Sequence, residues 1–244
     1  MKYKENREFL KVGLQFDMAD KTAVHPLAES DQMKGKPEPP AEKPYNEEDL
    51  IYLPDPWDVE LKKRDIIDIL DSRESRRTPL GEFTLNELSF ILWSVYGVRI
   101  NDNPKKKRTV PSGGGRYPFE TYFIASDVKG LDKGLYRYIW SKNAIFQTPM
   151  EQEKIDDMKR YIGFVGGITI FWTAIPYRTE WRYMQHAHKN IAIDVGHMGQ
   201  NGYLAAEALG RGCVAIGGYS QADVDRLLGM VGIDEFVCYI EAFM

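Results

Sequence analysis

The sequence predicts an α+β fold, a mixed sheet flanked by helices, on three observations. Short β-branched and aromatic runs such as Thr121-Tyr122-Phe123-Ile124-Ala125 and Ile168-Thr169-Ile170-Phe171-Trp172 read as buried strands. A capped amphipathic stretch opens at Thr84, and a long helical pattern fills residues 180–209. Strands and helices interleave without a strict βαβ repeat, which argues against a doubly wound parallel sheet.

Residues 34–48 hold prolines and charges too densely for a packed element, so they are expected to run extended over a surface. This divides the chain into an N-terminal extension, residues 1–54, and a folded domain, residues 55–244. Leu61, Ile66, Ile67, Ile69 and Leu70 then suggest a helix that ends before Arg73. A clearer one follows, with Thr84 as N-cap, Glu87 as its capping-box partner, an apolar stripe at Leu85, Leu88, Leu92 and Val95, and Gly97 as the stop. Strands are expected over 119–126, 135–140 and 143–147, a charged helix over 150–161 and a strand over 167–174. The 180–209 helix places Gly196, Gly199 and Gly202 in its interior, each costing about 1 kcal/mol relative to alanine. Such a stripe implies that another backbone comes close, a symmetry mate's included; a broken helix is the alternative. A short strand at Cys213-Val214-Ala215-Ile216, a helix capped by Ser220 and a strand over 235–243 complete the pattern.

At 244 residues and 43% hydrophobic, the chain can bury a substantial core. A net charge of -4 gives no bulk attraction to nucleic acid or anionic membrane, and no apolar run approaches the roughly 18 residues of a membrane span. The polar start, Met1-Lys2-Tyr3-Lys4, leads into no signal-peptide core, and Cys213 and Cys238 read as buried thiols, so a reducing cytoplasm is expected. No metal site is expected either. His186 and His188 diverge on a helix, and no His-Glu-x-x-His or cysteine cluster accompanies them. His197, three residues after Asp194, makes either an oriented imidazole or a structural pair.

Three stretches carry chemistry. Pro111-Ser112-Gly113-Gly114-Gly115-Arg116-Tyr117-Pro118 runs into a predicted core strand, and its glycines let main-chain N–H groups approach a ligand that any Cβ would repel. Arg73-Glu74-Ser75-Arg76-Arg77 sets Arg73, Ser75 and Arg77 on alternate positions of an extended connection, where two guanidinium forks and a hydroxyl suit a phosphate. Ala215-Ile216-Gly217-Gly218 ends a short strand in bare backbone. Beside these, Tyr177, Arg178, Trp181, Arg182 and Tyr183 cluster where a strand hands over to the long helix, suited to a flat acceptor or a nicotinamide cofactor's phosphates, with interface packing as the competing role. Pro104-Lys105-Lys106-Lys107-Arg108 is a basic run that reads first as a solvated loop, then as a phosphate-facing one, and least as a nucleic-acid contact.

Taken in order, these stretches resemble the nitroreductase family of flavin enzymes, specifically its branch of azoline dehydrogenases of peptide-modifying gene clusters and their standalone relatives. The likeness extends from about Arg7 to the C-terminus through Lys43-Pro44-Tyr45, Leu53-Pro54, Gly134-Leu135-Tyr136-Arg137-Tyr138 and Asp194-Val195-Gly196-His197-Met198-Gly199-Gln200-Asn201. The resemblance implies a homodimer, with the long helix at its interface and FMN touched by both chains. It implies that Arg73, Ser75 and Arg77 hold the FMN phosphate and ribityl chain, that Pro111, Ser112, Gly113, Gly114 and Arg116 reach the flavin from the other subunit, and that Ile216, Gly217 and Gly218 lie against its ring.

The implied activity is hydride transfer from NADH or NADPH through FMN to a small nitroaromatic or quinone acceptor, with Arg178, Trp181 and Arg182 as substrate contacts. Azoline dehydrogenation and flavin binding without turnover are the alternatives. The azoline dehydrogenases carry an adjacent lysine-tyrosine pair, and here the only such dipeptide is Lys2-Tyr3 at the start of the chain. No acid or base is marked; Tyr177 and Tyr183 are the candidates. The chain ends at Met244 without the basic tail that helps some nitroreductases bind phosphate, and residues 105–108 are the expected substitute.

Overall fold

Period-two alternation in the strands gives a sheet two buried faces, and each face selects its own helices. The computed structural model describes residues 4–11, 27–99, 107–163 and 165–244. In chain order its elements are α1 (Lys4–Lys11), β1 (Leu50–Tyr52), α2 (Ile66–Ser72), α3 (Leu85–Tyr96), β2 (Phe119–Ala125), β3 (Gly134–Ile139), β4 (Ala144–Thr148), α4 (Gln152–Ile162), β5 (Ile168–Ala174), α5 (Tyr177–Tyr183), α6 (Ala187–Leu209), β6 (Cys213–Ile216), α7 (Gln221–Leu227) and β7 (Phe236–Phe243). The strands form one seven-stranded sheet in the order β1-β4-β3-β2-β5-β7-β6, every neighbouring pair antiparallel.

On one face, Phe119, Phe123, Tyr136, Tyr138, Ile170 and Trp172 pack under Leu88, Leu92 and Val95 of α3 and Ile191, Val195 and Met198 of α6. On the other, Tyr122, Ile124, Phe171 and Ile240 pack under Ile155 and Met158 of α4 and Val224 of α7. α3 starts in the expected capping box, with Thr84 Oγ1 accepting from Glu87 N and the Glu87 carboxylate accepting from Thr84 N. At α7 the Ser220 hydroxyl turns to Asp223 and leaves the helix backbone uncapped.

Two expectations are corrected. The folded domain does not begin at residue 55, because Leu50–Tyr52 pairs with β4 and Leu27 and Leu53 join the core. Residues 36–46 do run extended, as expected, but they are bound tightly to the sheet. Fully buried Glu120 accepts from Lys43 N at 2.9 Å, Arg178 Nη2 at 2.5 Å and Arg137 Nη1 at 3.4 Å, while Arg178 Nε donates to Pro40 O and Arg137 Nη2 to Pro44 O. Lys43 Nζ adds Glu235 at 2.6 Å and Tyr122 Oη at 2.9 Å.

The long central helix is present as a helical path over residues 177–209, with a kink at Met184, φ 49°, between α5 and α6. The glycine stripe then serves the chain's own sheet: a Cβ on Gly199 would strike Tyr239 and Glu241, and one on Gly202 would strike Glu241 and Phe243, whereas Gly196 faces open space.

Glu241 is 0% exposed, and neither carboxylate oxygen has a hydrogen-bond partner among the described residues beyond the weak donor Cys213 Sγ beside it. Burial pushes its pKa well above the ordinary glutamate value. The folded chain therefore keeps a proton that the unfolded chain releases above about pH 4.3; the resulting stability is full below that pH and is lost as pH climbs toward the folded value, by at most about 1.4 kcal/mol per pH unit. Glu241→Gln removes this titration. Its stability relative to the parent chain, read from urea unfolding at about pH 5 and about pH 8, should rise with pH; parallel pH dependences would show that Glu241 is not the titrating group.

Candidate functional site

The outer edge of β6 fixes the first part of the site. Arg76 N donates to Cys213 O at 3.1 Å, so the 73–77 connection runs beside the edge strand. Arg76 turns inward to Glu207 at 2.7 Å, a carboxylate that also accepts from Lys63 Nζ and Ser72 Oγ. Burial works against ionisation of Glu207, but the hydrogen bonds from Lys63, Ser72 and Arg76 outweigh it and lower its pKa. Arg73 and Ser75 meet Tyr203, one turn earlier on α6. Neither Arg73 nor Arg77 has a carboxylate partner among the described residues, and Ser75 and Arg77 are exposed.

Sequence reasoning missed the residue on which Arg73 and Ser75 converge. Tyr203 of α6 lies with its ring under the Arg73 guanidinium at 5.2 Å, its hydroxyl 2.9 Å from Ser75 Oγ and 2.9 Å from the Ala215 N that donates to it. A lone tyrosine on a helix gives no signal; only folding sets it beside β6. Beyond it, Gly217 and Gly218 are exposed, and a Cβ on either would meet nothing within 4 Å. Ile216 turns its side chain into the α4 and α7 face, so it offers this region backbone alone.

The 111–116 loop is held at the other end of α6. Asp194 Oδ2 accepts from Ser112 Oγ at 2.5 Å, and Gly113 N reaches both carboxylate oxygens at 3.1 and 3.2 Å. Ser112 Oγ in turn accepts from Tyr117 N at 2.8 Å, which commits the hydroxyl inside the chain. Gly114 at φ 63° packs on Tyr183, where a side chain would clash. Asp194 is thus engaged by the loop and does not form the oriented imidazole pair with His197. Burial raises the Asp194 pKa, against the opposing hydrogen bonds from Ser112 and Gly113. Nine residues separate Asp194 from Tyr203, about 14 Å along the helix at 1.5 Å per residue. Within one chain, the structure joins two of the three stretches singled out in the sequence and keeps the third apart.

The remaining candidates are largely structural. Arg116 is 9% exposed and donates to Arg178 O and Glu38 while lying over Trp181 at 4.7 Å, so it does not stand free for an anion. Arg178, 3% exposed, spends its donors on Pro40 O, Phe119 O and Glu120, and Trp181 Nε1 donates to Lys36 O. These two are corrected from substrate contacts to anchors of the N-terminal segment. Arg182 lies over Tyr183 with its Nε buried and unpartnered. Tyr177 donates to Asp31 at 2.7 Å, a bond that raises its pKa, and borders a 530 Å³ cavity with Glu180 and His188; Tyr183 is spent under Gly114. Arg108, 4% exposed, sits between Tyr96 and Trp140 at 3.8 Å from each ring and cannot substitute for a basic tail, while Lys105 and Lys106 lie outside the described residues.

A model described as the nitroreductase family matches residues 82–242. The chain belongs to the nitroreductase family. Membership makes it an oxidoreductase. A protein named as a nitroreductase from Methanocaldococcus jannaschii is 32% identical over 183 residues, 73% of this chain and 88% of that protein. The trifolitoxin-processing protein TfxB of Rhizobium leguminosarum bv. trifolii is 29% identical over 113 residues, 43% of this chain and 30% of TfxB. Among solved structures, a protein named as a nitroreductase from Ralstonia eutropha JMP134 superposes with a TM-score of 0.64 at 24% identity, over 80% of this chain and 88% of that one. One from Exiguobacterium sibiricum 255-15, in complex with FMN, gives 0.52 at 14% identity over 74% and 88%. The seven-stranded sheet and its helices are therefore the nitroreductase fold, and no helix among the described residues is long and apolar enough to cross a membrane.

Asp194→Ala in this nitroreductase strands Ser112 Oγ and Gly113 N. We expect it to cost about 1–3 kcal/mol in urea unfolding and to speed hydrogen exchange at Gly113 and Tyr117. Unchanged exchange at those two amides would show that another contact holds the loop.

Proposed function

We propose that this chain works as a homodimer whose two copies together would hold each FMN, and that it catalyses electron transfer from NADH or NADPH to a small organic acceptor of the nitroaromatic or quinone type. What supports this reading is that Arg73 lies over Tyr203 with Ser75 in hydrogen-bond reach of it, beside the β6 edge that runs on into the exposed Gly217-Gly218 backbone, while Arg77 of the same segment is exposed. Two guanidinium groups without a carboxylate partner are the chemistry a phosphate needs, and Arg76 shows the contrast, since its charge is already neutralised by Glu207. These residues fit FMN. Arg73, Ser75 and Arg77 would hold the phosphate and ribityl chain, and the 216–218 backbone would lie along the ring.

The 111–116 loop lies too far along α6 to join them within one chain, which supports its action on the site of a second copy. Ser112 is then a positioning group, and exposed Gly114 is the loop residue whose backbone N–H would donate. Bound FMN supplies the hydride and electron transfer itself. The chain's part is to bind the anion, to present backbone donors where negative charge develops, and to leave room above the glycines for a flat acceptor. A 520 Å³ groove between α2, α3 and α6, lined in part by Leu61, Ile69, Phe90, Trp93 and Leu204, and the exposed Ile66, Ile67 and Leu70 of α2 are apolar surfaces that suit the second copy. Two free thiols, Cys213 and Cys238, suit a reducing cytoplasm.

Likeness to TfxB favours a second reading, azoline-type dehydrogenation on a peptide. A lysine-tyrosine pair does occur in space at Lys43 and Tyr122, but Tyr122 packs on the α4 and α7 face, opposite the face that holds Tyr203, so it lies away from the proposed flavin.

Arg73→Ala and Arg77→Ala should each weaken FMN binding about tenfold or more, followed by quenching of flavin fluorescence, with the unfolding midpoint unchanged. Full affinity in both variants would remove the phosphate assignment. Stopped-flow reduction by NADH and NADPH, then reoxidation by nitroaromatics, quinones and azoline peptides, separates the two enzymatic readings; a flavin-loaded protein inert to every reductant would leave binding without turnover.

A further inference from the structure

We propose that Tyr203 is a positioning residue that sets Ser75 as a hydrogen-bond donor to the cofactor's phosphate. The proposal rests on the FMN reading above. The groups form a hydrogen-bonded chain. Ala215 N–H donates to Tyr203 Oη at 2.9 Å, and as a backbone amide it can only donate, so the phenol oxygen accepts there. Either hydroxyl can donate across the 2.9 Å between Tyr203 Oη and Ser75 Oγ, and the proposed arrangement is the one in which Tyr203 donates. With one lone pair occupied in this way, Ser75 turns its own O–H outward, on an exposed position between Arg73 and Arg77. A phosphate at pH 7 is chiefly an acceptor, so a serine preset to donate matches it while one left free to rotate would not.

The ring contributes separately. It lies under the Arg73 guanidinium, limiting where that fork can point, and α6 holds the ring in place because Gly199 and Gly202 let the helix settle close to β7. Tyr203 thus couples three elements that lie far apart in sequence: the 73–77 segment, the edge of β6 and the central helix.

The test compares FMN with riboflavin, which lacks the phosphate. The parent chain, Tyr203→Phe and Tyr203→Leu are titrated with both flavins by fluorescence quenching. The parent should prefer FMN. Tyr203→Phe keeps the ring and loses the hydroxyl, so it should lose about tenfold in FMN affinity and keep its riboflavin affinity; Tyr203→Leu should lose more of the preference. If the parent does not prefer FMN, the phosphate assignment itself fails. If the parent prefers FMN and Tyr203→Phe retains the full preference, the role of Tyr203 alone fails. Equal losses for both flavins would mark Tyr203 as merely structural and would also overturn the proposal.

Discussion

The rest of the structure depends on how closely α6 approaches the sheet. Gly199 and Gly202 bring the helix down onto Tyr239, Glu241 and Phe243, where any side chain would collide. From that fixed axis Asp194 clamps the 111–116 loop, Tyr203 reaches the β6 edge and Glu207 gathers Arg76, Lys63 and Ser72. Two interior glycines cost about 2 kcal/mol of helix propensity together. The packing of the helix on the sheet offsets this cost, and every part of the candidate site is then referred to one rigid element.

Buried charge organises the opposite face. Glu120 in the middle of the sheet would be costly alone, and it survives because Arg178, Arg137 and the Lys43 amide satisfy it. Those partners in turn hold residues 36–46 against the fold. The proline-rich composition that marks this segment as unable to form a helix or a strand ladder therefore does not make it dispensable. Arg116, Arg178 and Trp181, which look available for a ligand in the sequence, are consumed by the same arrangement. A guanidinium reads alike in sequence whether it faces solvent or a buried carboxylate, and only the fold distinguishes the two.

Local signals with a physical mechanism were legible. The Thr84 and Glu87 capping box, the Gly97 stop and the β-branched runs of β2 and β5 each follow from nearest-neighbour chemistry. Signals that depend on distant partners were not. Leu50–Tyr52 is too short and too close to Pro54 to announce a strand, and it becomes one because β4 offers an unpaired edge. The kink at Met184 has no proline or glycine to mark it. Ser112 looks like a ligand group until Asp194, some eighty residues later, accepts its hydrogen bond.

By itself, then, the sequence determined the fold class, the order of most elements and the family, because caps and strand patterning act over a few residues. The tertiary structure decided which arginines remain free, which glycines serve the chain's own sheet, and that Tyr203 joins Ser75 to β6. Those outcomes follow from what a side chain meets across the fold, and hydrogen bonding and burial are settled only when the distant partner arrives.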